Sequence, residues 1–165
     1  MIYIFFSTLI LVSCWSNPKP KTLHTPETLD EVLLDYSEKR FLAEISILDS
    51  LSKSWGWQPD TLAGGILVQT IFDSSNEKNS LSDEIILRIR VKLANENLCF
   101  ENDSLKLIVG HYEGPKAIDE IASFISEGDS VNALVPSNMG FGVKGLPGFV
   151  PPGAMLLVEV SQPIR

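Results

Sequence analysis

A chain of 165 residues with 44% hydrophobic content is long enough to form one domain with a buried core and some appended segments. Its formal net charge is −8, and no basic stripe is present that would meet the phosphates of a nucleic acid. Because the acidic residues are dispersed, their ordinary role is solubility. Two cysteines and two histidines give no metal-binding cluster and no Cys/His pair close in sequence.

The first residues, MIYIFFSTLILVSC, are apolar throughout and too short to span a bilayer as a stable helix. They end in Leu11-Val12-Ser13-Cys14, which resembles the lipobox of bacterial lipoproteins. The resemblance implies that residues 1–13 are a signal peptide and that Cys14 is lipidated, so that acyl chains anchor the protein in a membrane. An ordinary secretory signal, or the artefactual N-terminus of a fragment, is the alternative.

Trp15-Ser16 follow the cysteine without the aspartate that retains some lipoproteins at the inner membrane. The resemblance therefore implies a cell-envelope protein that faces the periplasm, at the outer membrane. Residues 14–24 are polar and contain prolines, which is typical of a tether.

A helical arm is predicted over residues 25–58, because Thr25-Pro26-Glu27 combines a capping residue, a proline at the first helical position and an acidic first turn. The stripe that follows packs against the domain or, alternatively, binds a partner. Its apolar residues recur at helical spacing: Leu29, Val32, Leu33, Tyr36, Phe41, Ile45, Leu48 and Leu51.

The remaining residues, 59–165, are predicted to form one α+β domain. A helix is expected at 116–126, where Ile118, Ile121 and Ile125 form one apolar stripe before Gly128. Alternating apolar residues and β-branched content predict strands on either side of it, mostly antiparallel. The predicted strands are 66–72, 83–93, 98–100, 105–109, 129–135 and 155–160.

The stretch 127–160 carries a loop that is rich in glycine and proline, and it also carries apolar residues. Its ordered elements resemble the C-terminal half of the FKBP-type peptidyl-prolyl isomerases. These elements are Val135-Pro136, Phe141-Gly142, Gly145-Leu146-Pro147-Gly148, Phe149-Val150, Pro151-Pro152 and a closing strand. The resemblance implies a bent antiparallel sheet wrapped around one short helix.

This family implies peptidyl-prolyl cis-trans isomerisation without a cofactor, acting on proline-containing or unfolded polypeptide segments. The residues carried over as catalytic are Phe100, Glu101, Phe141, Phe149 and Val150. Those carried over as substrate-binding are Ile89, Leu105, Ile118, Leu146 and Val158.

Several positions depart from the family pattern, and two of them alter the pocket floor and a hydrogen-bond donor. Ile118 replaces the tryptophan that forms the pocket floor, and Phe141 replaces a tyrosine whose hydroxyl donates to the bound peptide. An isomerase with weakened activity is the first interpretation. A non-catalytic chaperone or binding lipoprotein is the second, and a structural lipoprotein whose apolar residues merely complete the core is the third.

Overall fold

The computed structural model describes residues 29–164, so the predicted signal peptide, Cys14 and the tether lie outside the described residues. Within these residues, two helices and six strands follow one another, with short 3₁₀ turns at Ala63–Gly65 and Gly142–Lys144. The elements are α1 (Leu29–Ser54), β1 (Asp60–Thr61), β2 (Leu67–Phe72), β3 (Glu84–Leu93), β4 (Leu98–Ile108), α2 (Lys116–Phe124), β5 (Ser130–Val135) and β6 (Leu156–Ser161).

The six strands form one sheet in the order β1-β2-β5-β6-β3-β4, and every pairing is antiparallel. One short helix, α2, lies between strands β4 and β5 in the chain and contributes its apolar face to the core. The predicted α+β layout is therefore confirmed.

The main core lies between α2 and one face of the sheet. Strand β3 shows the predicted alternation, since Ile85, Leu87, Ile89 and Val91 are all buried while the residues between them are partly or fully exposed. Ile121 of α2 is fully buried in the same cluster. Buried residues thus recur at every second position on the strands and about every 3.6 positions on the helix, and these two buried faces pack against each other.

Helix α1 covers part of the opposite face of the sheet. A second buried cluster joins Leu48 of α1 to Leu67, Leu134 and Leu157, which belong to β2, β5 and β6. The burial pattern explains why the two central strands β5 and β6 are nearly continuous in apolar residues, since both of their faces are covered.

Only the C-terminal half of α1 packs against the sheet. Residues 29–39 are exposed throughout, including Leu29, Leu33 and Tyr36 of the predicted apolar stripe. The stripe therefore divides into a packed part and an unpacked part. No helix within residues 29–164 combines the length and hydrophobicity that crossing a membrane requires.

Strand β4 differs from the sequence-based prediction, which placed two short strands at 98–100 and 105–109. The structure has one strand, with the polar residues Glu101 and Asn102 paired to Arg90 and Ile89. The register shifts between the Leu87 and Ile89 pairings. A bulge thus absorbs the polar residues without ending the strand.

The turn between α2 and β5 is held by a buried carboxylate. Asp129, 2% exposed, accepts hydrogen bonds from the Ser74 N–H and hydroxyl at 2.7 Å each, and from the Ser126 N–H at 2.8 Å. Lys78 lies 3.8 Å from the same carboxylate. Burial by itself raises the pKa of Asp129, but the bonds from Ser74 and Ser126 and the charge of Lys78 outweigh it, and the pKa lies below its ordinary value.

This buried carboxylate makes stability depend on pH. Since the folded pKa of Asp129 is lowered, its contribution is complete above the unfolded value of about 4 and is lost as the pH falls through the folded pKa. Asp129→Asn should lower the free energy of unfolding by roughly 1–3 kcal/mol at pH 7. Denaturant titrations between pH 7 and pH 2 should show that this deficit shrinks on acidification.

The matched control is Asp103→Asn, which alters an exposed carboxylate paired with Arg88. It should follow the parent curve at every pH. A deficit for Asp129→Asn that is equally large at pH 2 and pH 7 would contradict the assigned role of the carboxylate.

Candidate active site

A pocket opens where α2 stops covering the sheet. Nine helical residues extend about 13 Å, whereas the ten residues of β3 extend about 33 Å. The pocket begins at the first turn of α2 and is lined by Ile89 and Val91, but not by Ile85 and Leu87 further along the same buried row. Its position therefore follows from the difference in length between the helix and the strands beneath it.

The pocket has a volume of about 360 Å³, within the range of small-molecule and peptide side-chain sites. Its walls come from β3, β4 and β6, from the segment 113–119, and from the loop after β5. Six of the ten residues carried over from the resemblance line it: Ile89, Phe100, Leu105, Ile118, Phe141 and Val158. The pocket is also lined by residues that the resemblance did not assign to the site, among them Val91, Asn102, Lys106, Leu107, Glu113, Val135 and Leu156.

Phe100 of β4 contacts two aromatic residues of the loop that joins β5 to β6. Its ring centroid lies 5.9 Å from that of Phe141 and 6.1 Å from that of Phe149, and both pairs meet edge to face. Such pairs stabilise their arrangement beyond simple burial. The loop is thereby held against β4, and the three rings form one side of the pocket and its outer edge.

Phe149 does not line the pocket itself and is 57% exposed. Val150, the neighbouring residue, is buried in the core, and Leu146 is half-buried against that core. Leu146 and Val150 form an isolated bridge, with backbone hydrogen bonds of 2.8 and 2.9 Å between them. Leu146 and Val150 therefore hold the loop in shape, while Phe149 presents an apolar surface beside the opening.

Glu101 lies on the other face of the sheet, away from the pocket. It pairs with Arg90, whose guanidinium is 3.2 Å from the Glu101 carboxylate and 3.1 Å from that of Glu159. The hydrogen bond to Glu101 contributes most, followed by that to Glu159, and together they raise the pKa of Arg90 above its ordinary value. Two polar residues of β4 line the pocket, Lys106 and Asn102, and Asn102 stands directly opposite Ile89. Strict alternation from Phe100 points to this residue.

The rim beside α2 is fixed by a buried carboxylate in the first turn of that helix. Asp119 accepts hydrogen bonds from the backbone N–H groups of Gly110, at 2.6 Å, and of Tyr112. Both residues have positive φ, 88° for Gly110 and 51° for Tyr112. Since Tyr112 is not a glycine, its left-handed conformation carries strain that the Asp119 bond offsets. Asp119 therefore shapes the turn that leads into Glu113, Gly114 and Pro115.

The rim provides few hydrogen-bond donors. Pro115 has no N–H, and Phe141 has no hydroxyl. The Tyr112 hydroxyl donates to Glu120 at 3.1 Å, which raises the pKa of Tyr112. Side-chain donors among the lining residues are the amide of Asn102 and the ammonium of Lys106. Within residues 29–164 no group of three His, Cys, Asp or Glu side chains is placed to hold a metal ion.

Removal of the Asp119 carboxylate should loosen this rim. In Asp119→Ala the Gly110 and Tyr112 amides lose their acceptor, and we expect stability to fall by roughly 1–3 kcal/mol. Hydrogen exchange followed by NMR should show faster exchange at these two amides than at amides in β5. Glu120→Ala removes only the exposed bond to the Tyr112 hydroxyl and should leave both rates unchanged. Unchanged rates in Asp119→Ala would contradict the assignment.

Comparison with known proteins gives structural likeness only, since no protein-family model and no curated protein matches the sequence. The chain is similar to a peptidyl-prolyl cis-trans isomerase from Pseudomonas syringae pv. tomato, with a TM-score of 0.64 and 16% identity over 78% of this chain and 94% of that one. It is also similar to the structure of the three FKBP domains of wheat FKBP73, with a TM-score of 0.58 and 20% identity.

The second likeness covers 64% of this chain and 48% of the wheat chain, so this chain spans about half the length of that protein. At these identities the likeness concerns the fold. Together with the sheet order, the single short helix and the pocket beside its first turn, it shows that this chain has the fold of the FKBP-type peptidyl-prolyl isomerases.

Proposed function

We propose that this chain is a peptidyl-prolyl cis-trans isomerase whose substrate prolyl ring enters the pocket between Phe100, Ile118 and Phe141. The observation that supports this proposal is that the pocket is open and apolar although isoleucine stands at its floor. Ile118 is buried without filling the space above it, so Phe100, Phe141 and the aliphatic wall still enclose a volume of about 360 Å³.

The reaction needs no nucleophile, because an X-Pro bond rotates over a barrier of about 20 kcal/mol that arises from amide conjugation. The twisted amide is less polar than the planar one. A dry apolar pocket therefore disfavours the planar ground state relative to the transition state, and a wall that fixes the ring orients the bond for rotation. Ile89, Leu105 and Val158 supply such a wall here.

A hydrogen bond to a substrate carbonyl would strengthen this effect, and Asn102 is the polar side chain placed to provide it. Its Oδ1 accepts the Ser104 N–H at 3.0 Å, which orients the amide group and leaves the Nδ2 donors for another partner. Asn102 lies opposite Ile89 at the pocket wall. We assign Asn102 the role of hydrogen-bond donor to the substrate carbonyl, in place of the absent tyrosine hydroxyl.

The proposal predicts that the purified full chain accelerates cis-trans exchange of a Leu-Pro tetrapeptide, measured by NMR exchange spectroscopy. Leu105→Glu places a charge in the apolar wall and should lower kcat/KM by at least about tenfold, since burying an unpaired charge is unfavourable. Leu98→Glu is the matched control, because Leu98 lies on the same strand, is exposed and does not line the pocket.

Equal loss of activity in Leu98→Glu and Leu105→Glu would place catalysis outside this pocket. Cis-trans exchange of the peptide no faster than in buffer, even at high protein concentration, would exclude the isomerase and favour the second candidate function. That candidate is a binding module or chaperone without turnover, and the shortage of rim donors at Pro115 and Phe141 favours it. It predicts slower aggregation of an unfolded client, an effect that Phe149→Asp should abolish.

Phe141→Tyr should raise activity if the pocket is used as proposed. The substitution adds a hydroxyl donor on the loop at the pocket wall, and a hydrogen bond contributes roughly 1 kcal/mol, or about fivefold in kcat/KM. Phe72→Tyr adds the same hydroxyl at an exposed position of β2, away from the pocket, and should leave the rate unchanged. A rate for Phe141→Tyr at or below that of the parent would argue against a substrate carbonyl near this ring.

We further propose that the isomerase acts on proline-containing or unfolded segments of cell-envelope proteins. The support is the lipobox-like sequence that ends at Cys14, followed by the polar stretch to residue 24. In this proposal the lipidated Cys14 anchors the chain, which faces the periplasm, at the outer membrane. Labelling cells with a radioactive fatty acid should mark the parent chain and not Cys14→Ser. A parent chain that carries no label and fractionates away from membranes would refute the anchor.

A further inference from the structure

We infer that Arg40 and Glu44 of helix α1 are positioning residues for the pocket wall, an inference that rests on the proposed function for its kinetic readout. We call these two residues the α1 clamp. The clamp lies on the side of the β5–β6 loop that faces α1, while Gly140 and Phe141 of the same loop line the pocket.

Glu44 is a buried carboxylate, 7% exposed, with three donors. It accepts the backbone N–H of Ser137 at 2.8 Å, the Ser137 hydroxyl at 2.8 Å and the Nε–H of Arg40 at 2.9 Å. Ser137 is itself buried and follows Pro136 directly after β5. A charge-assisted bond in such a buried place fixes the start of the loop to α1.

Arg40 holds the other end of the loop. Its Nη2–H donates to the carbonyl oxygen of Gly153 at 3.0 Å and lies 3.5 Å from the Ser137 hydroxyl oxygen. Gly153 has a φ of 67°, and a Cβ there would collide with the Arg40 guanidinium. One guanidinium therefore joins residues that lie 16 positions apart in the chain, at the beginning and the end of the loop.

Backbone hydrogen bonds carry the constraint from the clamp to the pocket. The Gly142 N–H donates to the Ser137 carbonyl at 2.8 Å, and the Gly153 N–H donates to the Gly142 carbonyl at 2.8 Å. Phe141 directly precedes Gly142, which takes part in both of these bonds. On the far side, the Ala117 N–H of α2 donates to the Met139 carbonyl at 2.9 Å. The loop is thus tied both to α1 and to the first turn of α2.

The clamp differs from the other ion pairs of α1. Lys39–Asp35 and Lys53–Asp49 have the same i, i+4 spacing, but their side chains are exposed and each pair bonds only within the helix among the described residues. Pairs of that kind contribute little to stability. Arg40–Glu44 is the pair that extends beyond the helix, so its removal has consequences that removal of the other two lacks.

Without the clamp the loop samples positions in which Phe141 does not close the pocket wall. The fraction of molecules ready to bind then falls, and the apparent dissociation constant rises by the inverse of that fraction. A bound substrate selects the closed loop, so turnover of the bound complex changes little. The clamp therefore affects KM more than kcat, whereas a general loss of stability leaves KM unchanged below the unfolding transition.

The test compares Glu44→Ala, Arg40→Ala and the double variant with Asp49→Ala, all in the full chain at a temperature where each is folded by circular dichroism. Hydrogen exchange of Gly140 and Gly142 should accelerate at least about tenfold in the clamp variants, and KM for a Leu-Pro peptide should rise by a similar factor with kcat within about twofold. Because both residues act through one network, the double variant should be no worse than the more severe single one.

Should Glu44→Ala fail to fold, Arg40→Lys decides the matter. Lysine can reach Glu44 or the Gly153 carbonyl but not both, so its loop exchange should lie between those of the parent and Arg40→Ala. Loop exchange and KM at parent values in every folded clamp variant would overturn the inference, as would equal changes in Asp49→Ala. If the parent shows no isomerase activity, the proposed function fails, and the exchange rates still decide whether the clamp holds the loop.

Discussion

The pocket exists because α2 is too short to cover the sheet face on which it packs. A longer helix would place another apolar turn over Ile89 and Val91 and complete the core. Instead α2 begins beside open space, because Pro115 directly before it disfavours a helical conformation for the residue that precedes it. The site is therefore an unfilled part of the core rather than a separate surface feature.

Two buried carboxylates fix the edges of this space from opposite sides. Asp119 shapes the turn before α2, and Glu44 holds the loop after β5. Each is a helix side chain that accepts at least one backbone N–H of the neighbouring loop. Such bonds let an irregular segment keep its shape without regular secondary structure. Because the pocket is lined both by Glu113 to Pro115 and by Gly140 and Phe141, its shape depends on both segments.

Sequence patterns predicted most of the fold. Alternation in β3 and the helical stripe of α2 led to the correct faces, and the order of motifs between Val135 and Val160 indicated the FKBP-type arrangement that the structural likeness supports. Six of the ten residues carried over from the resemblance line the pocket. Periodicity and motif order are local signals, and these features depend on local signals.

The positions of the residues that do not line the pocket depend on features that have no local signal. Glu101 was aligned by its position after Phe100, but the pairing of β4 with β3 turns it to the other face and brings Asn102 to the pocket. The burial of Val150 follows from its bridge with Leu146. The clamp joins residues that are about 100 positions apart in sequence, so no local pattern links Arg40 or Glu44 to the loop.

The account makes a physical claim about one cavity: a prolyl ring fits above Ile118, between aliphatic side chains and the rings of Phe100 and Phe141. The most direct test is an NMR measurement of intermolecular NOEs between an unlabelled Leu-Pro peptide and the chain with labelled Ile, Leu and Val methyl groups. We expect contacts from the proline ring protons to the methyl groups of Ile118, Leu105 and Ile89. Contacts confined to exposed residues such as Val143, or none at saturating peptide, would contradict the account.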